Sequence, residues 1–171
     1  MTPLKKSIFL CGFMGCGKTA AGKSVSAKMG INFIDLDEFI ENTAEKSIAD
    51  IFAQDGEEVF RRMESVAIAK ICEVDIKMSP HIIALGGGAA ADELNAALVN
   101  ANGISVFIDT EFETCYERIK NDTSRPLAKS REFLEQLYNQ RRQVYIKNCE
   151  IIIDGNTDVQ TLSERILNIN L

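Results

Sequence analysis

Gly12-Phe13-Met14-Gly15-Cys16-Gly17-Lys18-Thr19 is the stretch that decides the fold. The octet fits G-x-x-x-x-G-K-[ST] and follows Ser7-Ile8-Phe9-Leu10-Cys11, an apolar run that reads as a buried strand. Residues 20–29, rich in small side chains and lysine and closed by Gly30, read as a packed helix. Strand, glycine loop and helix are the setting that a phosphate-binding P-loop requires. Glycines let main-chain N–H groups curl round phosphate oxygens, and the helix N-terminus adds a favourable dipole. Lys18 would neutralise charge on the β- and γ-phosphates, and the Thr19 hydroxyl would ligate Mg²⁺. A glycine-rich turn with no ligand is the alternative. Every fixed position of the motif is filled in the right context, which favours a nucleotide site.

Working outward, apolar runs bounded by turn signals recur at residues 8–11, 31–34, 81–85, 104–108 and 149–153. Helix-period segments lie between them, which predicts βαβ units and a mostly parallel sheet, an α/β protein. With 171 residues, no internal repeat and no linker, one domain over 1–171 is expected. No apolar run approaches the ~18 residues of a membrane span. The formal charge of −6 argues against a nucleic-acid surface, so any anion site must be a local cluster of cations on an acidic protein. The five cysteines are odd in number and contain no C-x-x-C. They suggest neither a disulfide framework nor a zinc site and fit a reduced, cytoplasmic setting. His81, the only histidine, opens an apolar run and reads as structural.

The second run closes as Asn32-Phe33-Ile34-Asp35-Leu36-Asp37. Asp35 and Asp37 face one side while the chain stays extended, at the strand end where open α/β sheets bind ligands. Asp37 alone also reads as the N-cap of a helix through Glu38-Phe39-Ile40, but the pair beside a P-loop favours function. Phe60, Met63, Ala67, Ile71 and Val74 form one apolar stripe at helical spacing. Arg61 and Arg62 lie off it, four residues after Glu57 and Glu58, which predicts surface ion pairs. Leu85-Gly86-Gly87-Gly88 is either a tight turn or a place where a ligand approaches the main chain. No acid closes that strand, so the usual Walker B aspartate on Mg²⁺ is missing. Asp109 closes the fourth run, but Thr110-Glu111-Phe112-Glu113 fits a capping box and assigns this acid to an ordinary helix entry. By elimination, Asp35 becomes the candidate to help Thr19 hold the metal.

Arg125, biased away from helix by Pro126, sits in a polar loop. It is either a lid cation for phosphoryl transfer or an exposed arginine without function. In the following helix Leu134, Leu137, Tyr138, Val144 and Tyr145 make an apolar stripe with Arg141 at its centre and Arg142 pointing away. A charge on a buried face needs a partner, either a core carboxylate or a bound anion. Cys16 is a small filler within the loop or, with cations beside it, an oxidation-sensitive thiol.

Together these residues resemble the shikimate kinase family over nearly the whole chain. The shared pieces are the P-loop octet, Phe33-Ile34-Asp35-Leu36-Asp37, Ile51-Phe52 and Gly56-Glu57-Glu58-Val59-Phe60-Arg61-Arg62-Met63-Glu64. Gly86-Gly87-Gly88, Arg125-Pro126-Leu127 and Arg141 four before Tyr145 complete them. The octet alone would not separate one kinase from another, whereas the ordered set of D-x-D, F-R-x-x-E, G-G-G and R-P-L is specific. Ala128 and Gln143 depart from the family, which favours a second leucine and a proline there.

The resemblance implies a three-layer P-loop NTPase fold of the nucleoside-monophosphate-kinase type. It would have a five-stranded parallel sheet, a substrate-binding region at 36–64 and a lid at 122–132. The implied activity is Mg·ATP-dependent phosphorylation of the 3-hydroxyl of shikimate, in aromatic amino-acid biosynthesis. On that resemblance Asp37 receives the reacting hydroxyl, and Lys18 and Arg125 are the other catalytic groups. Arg61 and Arg141 hold the carboxylate, Gly86, Gly87 and Gly88 line the ring, and Phe52 and Phe60 pack near it. Gly12, Gly15, Cys16, Gly17, Lys18, Thr19 and Ala20 would bind the nucleotide with Arg118 and Arg125. Asp154-Gly155-Asn156-Thr157 looks like the family's adenine loop, and Thr19 and Asp35 would hold Mg²⁺. The expected partners are shikimate and ATP, with no nucleic acid and no membrane, and the chain is expected to be a monomer. Two readings compete: a gluconate-kinase-like enzyme of the same architecture, and a nucleotide-binding module without catalysis. The arginine pair argues against the first, and the presence of both Thr19 and Asp37 against the second.

Overall fold

Strand β1 (Ser7–Cys11) is the middle of the sheet, and every residue of it is buried, because helices cover both faces. The computed structural model describes residues 6–121 and 130–169. Around β1 stand β2 (Asn32–Asp35), β3 (His81–Ala84), β4 (Gly103–Asp109) and β5 (Ile151–Asp154). The order is β2-β3-β1-β4-β5 and every pairing is parallel, as the recurrent strand–helix pattern predicts. This is a three-layer α/β fold, with helices on both faces of the parallel sheet.

Side-chain alternation divides β1 between two cores. Ile8 and Leu10 pack with Ile82, Val106, Val25 of α1 (Lys18–Met29) and Leu162 of α9 (Val159–Leu167). Cys115 and Ile119 of α7 (Phe112–Ile119) complete that layer. Phe9 and Cys11 pack on the opposite face with Leu36 of α2 (Leu36–Ala44), Ile51 of α3 (Ile48–Gln54) and Phe60 and Ile68 of α4 (Glu57–Lys70). Val99 of α6 (Glu93–Asn102) belongs there too. Helix α8 (Arg131–Asn148) starts in one core and ends in the other, with Leu134 in the first and Tyr145 in the second. Its crossing carries Arg141 past the end of β3, where the guanidinium approaches Gly87.

Several local expectations are corrected. Helix α4 runs into five residues of π-type hydrogen bonding, Ile71–Asp75, before the short α5 (Ile76–Met78). The wider turn rotates the apolar stripe, so Ile71 stays buried while Val74 is 56% exposed. The capping box at Thr110 does not form: α7 begins after Glu111, Thr110 is buried, and Glu113 pairs with Arg131. Asp37 is not a cap either. The strand stops at Asp35, and the Asp35 side chain accepts from the Asp37 N–H to cap α2. The five cysteines are free thiols. His81 is buried, with its Nδ1 2.7 Å from the Ser79 carbonyl oxygen. Among the described residues, no helix is long and apolar enough to cross a membrane.

Candidate active site

The loop between β1 and α1 takes its shape from glycines. Gly17, the N-cap of α1, has φ 107° and Gly15 has φ 80°, a region that L side chains rarely enter. Lys18 Nζ donates to the carbonyls of Gly12 (2.8 Å) and Phe13 (3.1 Å), and Cys16 Sγ lies 3.7 Å from it. Cys16 is fully buried beneath the loop, and a Cβ on Gly12 would come 2.7 Å from its sulfur. That position suits the filler reading. Gly12 and Cys16 therefore shape the loop from behind, while Gly15, Gly17, Lys18, Thr19 and Ala20 line a cleft of about 550 Å³. Arg118 lines the same cleft and donates to the Gly15 carbonyl at 2.9 Å. Thr157, Asp158 and Val159 form another part of its wall.

A second cleft of about 610 Å³ adjoins the first and shares Met14, Thr19, Asp35, Asp37 and Gly87 with it. The Thr19 hydroxyl donates to Asp35 Oδ2 at 2.7 Å, so one carboxylate both caps α2 and meets the end of the phosphate loop. Phe52 and Phe60, with ring centroids 4.9 Å apart, give the second cleft its apolar wall.

The three glycines after β3 form a floor on which four polar groups converge. A Cβ on Gly86 would come 2.7 Å from Glu64 Oε1 and 2.8 Å from Asp37 Oδ1. One on Gly87 would come 3.2 Å from Arg141 Nη1, and one on Gly88 would fall inside the Arg61 guanidinium. The absence of side chains on this triplet leaves room for Glu64, Asp37, Arg141 and Arg61 of the protein itself. Tyr145 fixes the floor by donating to the Gly87 carbonyl.

The arginines differ. Arg61 makes the surface pair expected with Glu57 (2.9 Å) and a second, inward pair with Glu64 (2.5 Å), while Arg62 pairs with Glu58. Burial would lower the Arg61 pKa, but Glu64 and Glu57 outweigh it and raise the pKa. Burial pushes the Glu64 carboxyl above the ordinary glutamate range against the pull of Arg61, and the charge of Asp37 adds to the rise. Glu64 Oε1 has no hydrogen-bond partner among the described residues. Arg141 is 8% exposed and, among the described residues, has no ion-pair partner. A buried guanidinium of this kind is costly unless something anionic meets it. Arg142 does point away from the stripe, into a two-bond ion pair with Asp109 (2.8 and 2.6 Å).

Sequence reasoning gave no role to Glu64 or to the Asp109–Arg142 pair. The four-residue step from Phe60 to Glu64 was a usable signal, since it places both on one helix face. The Asp109–Arg142 pair joins residues distant in sequence and left no such signal. Arg125 and most of the expected lid, residues 122–129, lie outside the described residues.

A phosphate loop at the sheet's C-terminal edge, joined to a cleft that sets two arginines among several carboxylates, defines a P-loop kinase for a small acceptor. A family model described as shikimate kinase matches residues 14–170. The chain belongs to the shikimate kinase family. It is 35% identical over 161 residues to the shikimate kinase of Persephonella marina, covering 93% of this chain and 96% of that one. The shikimate kinase of Acinetobacter baumannii in complex with shikimate superposes with a TM-score of 0.90 at 29% identity, covering 96% of this chain and 92% of that one. A gluconokinase from Sinorhizobium meliloti shares the fold, with a TM-score of 0.62 at 16% identity over 97% and 91% of the two chains.

Proposed function

We propose that this protein transfers the γ-phosphoryl group of ATP to the 3-hydroxyl of shikimate, giving shikimate 3-phosphate and ADP for aromatic amino-acid biosynthesis. The observation that carries the reading is the glycine floor, which gathers Asp37, Arg61 and Arg141 round one cleft next to the phosphate loop. Shikimate offers one carboxylate and several hydroxyls. Arg61 and Arg141, the latter without an ion-pair partner among the described residues, suit forked recognition of that carboxylate. Asp37 orients the reacting hydroxyl and takes its proton, while Lys18 meets the charge that develops on the phosphates. Phe52 and Phe60 exclude water beside the ring. Arg118 and the loop before Thr157 face the nucleotide base, and Arg125 keeps its role over the phosphates as an expectation. Residues 1–171 act as one domain, with 36–64 as the acceptor-binding region.

The donors present suit Mg²⁺. Thr19 and Asp35 supply a hydroxyl and a carboxylate, hard oxygens that leave room for water and phosphate ligands. Held by these two, the ion would offset negative charge on the phosphates.

The test is ADP release in a coupled assay with Mg·ATP and shikimate, gluconate or a nucleoside monophosphate as acceptor. Turnover is expected with shikimate and little with the others. Equal rates on all three would overturn the specificity, and nucleotide binding without acceptor-dependent turnover would overturn catalysis. Asp37→Asn should bind nucleotide normally and lose about 10²- to 10⁴-fold in kcat. An unaltered kcat would remove Asp37 from the mechanism.

A further inference from the structure

Thr110 follows β4, is 1% exposed, and is not the helix cap that its sequence suggests. Its hydroxyl instead donates to the main-chain carbonyl of Cys16, 3.1 Å away in the phosphate loop. A peptide unit is planar and trans, so fixing its carbonyl on one side points its N–H to the other. That N–H belongs to Gly17, which lines the nucleotide cleft and opens α1. A second loop rests on the same corner. A Cβ on Gly155 would overlap the Thr110 hydroxyl, and only glycine leaves it seated. The Gly155 N–H donates to the Asp109 carbonyl at 2.9 Å, and the Glu111 N–H to Asn156 Oδ1 at 2.9 Å. These contacts hold the segment leading to Thr157 and Asp158 on the cleft wall. On the remaining side, Tyr138 Oη donates to the Thr110 carbonyl at 3.0 Å.

We propose that Thr110 is a positioning residue for the nucleotide site: its hydroxyl holds the Cys16–Gly17 peptide so that the Gly17 N–H faces the phosphates. The proposal rests on the nucleotide reading above. Thr110 lines neither cleft and acts through the loop, so its loss should weaken nucleotide without weakening the acceptor.

The deciding comparison is Thr110→Ala against Thr110→Ser, which differ only by the hydroxyl. ADP affinity is measured by calorimetric titration, shikimate affinity in the absence of nucleotide, KM for ATP by steady-state kinetics, and folding by thermal melting. Thr110→Ala should weaken ADP and raise KM for ATP about tenfold, the size of one buried hydrogen bond left unmade, with shikimate affinity unchanged. Thr110→Ser should restore nucleotide binding although it also lacks the methyl group. Wild-type ADP affinity in Thr110→Ala, a serine variant as weak as alanine, or a parallel loss of shikimate binding would each overturn the proposal. If the alanine variant does not fold, Thr110→Val, which keeps the volume, takes its place under the same criteria. Wild-type protein that binds ADP but does not phosphorylate shikimate would refute the acceptor reading alone, since the ADP titrations decide the role of Thr110.

Discussion

Gly88 shows how much of the acceptor cleft depends on a side chain that is not there. Its backbone lies in the ordinary right-handed region, φ −84° and ψ −33°, so alanine costs nothing in main-chain strain. Its Cβ would nevertheless enter the Arg61 guanidinium, with Nη2 still only 2.9 Å away. The guanidinium is the far end of a flexible side chain and would move, keeping the fold but losing its aim. Gly88→Ala should therefore melt like wild type and raise KM for shikimate about 10- to 100-fold, the equivalent of one charge-assisted hydrogen bond of ~1.5–3 kcal/mol. KM for ATP should stay close to wild type; an unchanged KM for shikimate would separate Arg61 from the carboxylate. Arg61, Asp37 and the glycine triplet were all legible as residue types in the sequence. Their convergence came only with the family resemblance and not from spacing, because it depends on side chains that reach over the triplet from α2, α4 and α8. Asp35 makes the same point. Its capping bond exists because β2 stops at Asp35, two residues before the end of a D-x-D read as extended chain.

Helix α4 was legible over its first turns, where burial follows a regular α-helical period, and illegible where that period changes. Hydrophobic spacing cannot distinguish an α turn from the wider π turn at Ile71–Asp75, since both place an apolar residue every few positions. The consequence can be measured by urea unfolding. Ile71→Ala should cost about 2–5 kcal/mol, as a fully buried aliphatic chain cut back to a methyl does. Val74→Ser should stay within about 0.5 kcal/mol, because Val74 faces solvent. Equal losses at both would restore the single uninterrupted stripe. In helix α8 the apolar stripe singled out Arg141 as a charge that needs a partner, but the passage of the helix from one core to the other was not in that pattern. Its two ends in different cores explain why Arg141 lies over the sheet edge rather than within a layer. Arg142, bound to Asp109, ties the same turn to the end of β4.

At the scale of the whole molecule, five apolar runs and the segments between them revealed the α/β class, but not the order β2-β3-β1-β4-β5. Strand order is set by where each helix crosses, and local patterning carries little of that information. What this order accomplishes is to bring two clefts together at Thr19, Asp35 and Asp37 while leaving most of their walls separate. Separate walls should give separable binding energies. A ligand that binds only the folded state stabilises it by about 2.7 kcal/mol at a hundred times its Kd, or about 5–10 °C of melting temperature for a chain of this length. ADP and shikimate, each at that excess, should both raise the melting temperature, and gluconate should not. In Gly88→Ala, tested at the wild-type ligand concentrations, the shikimate shift should shrink and the ADP shift should survive, because Gly88 lines only the cleft proposed for the acceptor. Loss of both shifts together would mean that the clefts form one cooperative site. A shikimate shift that survives in Gly88→Ala would place the acceptor away from the glycine floor.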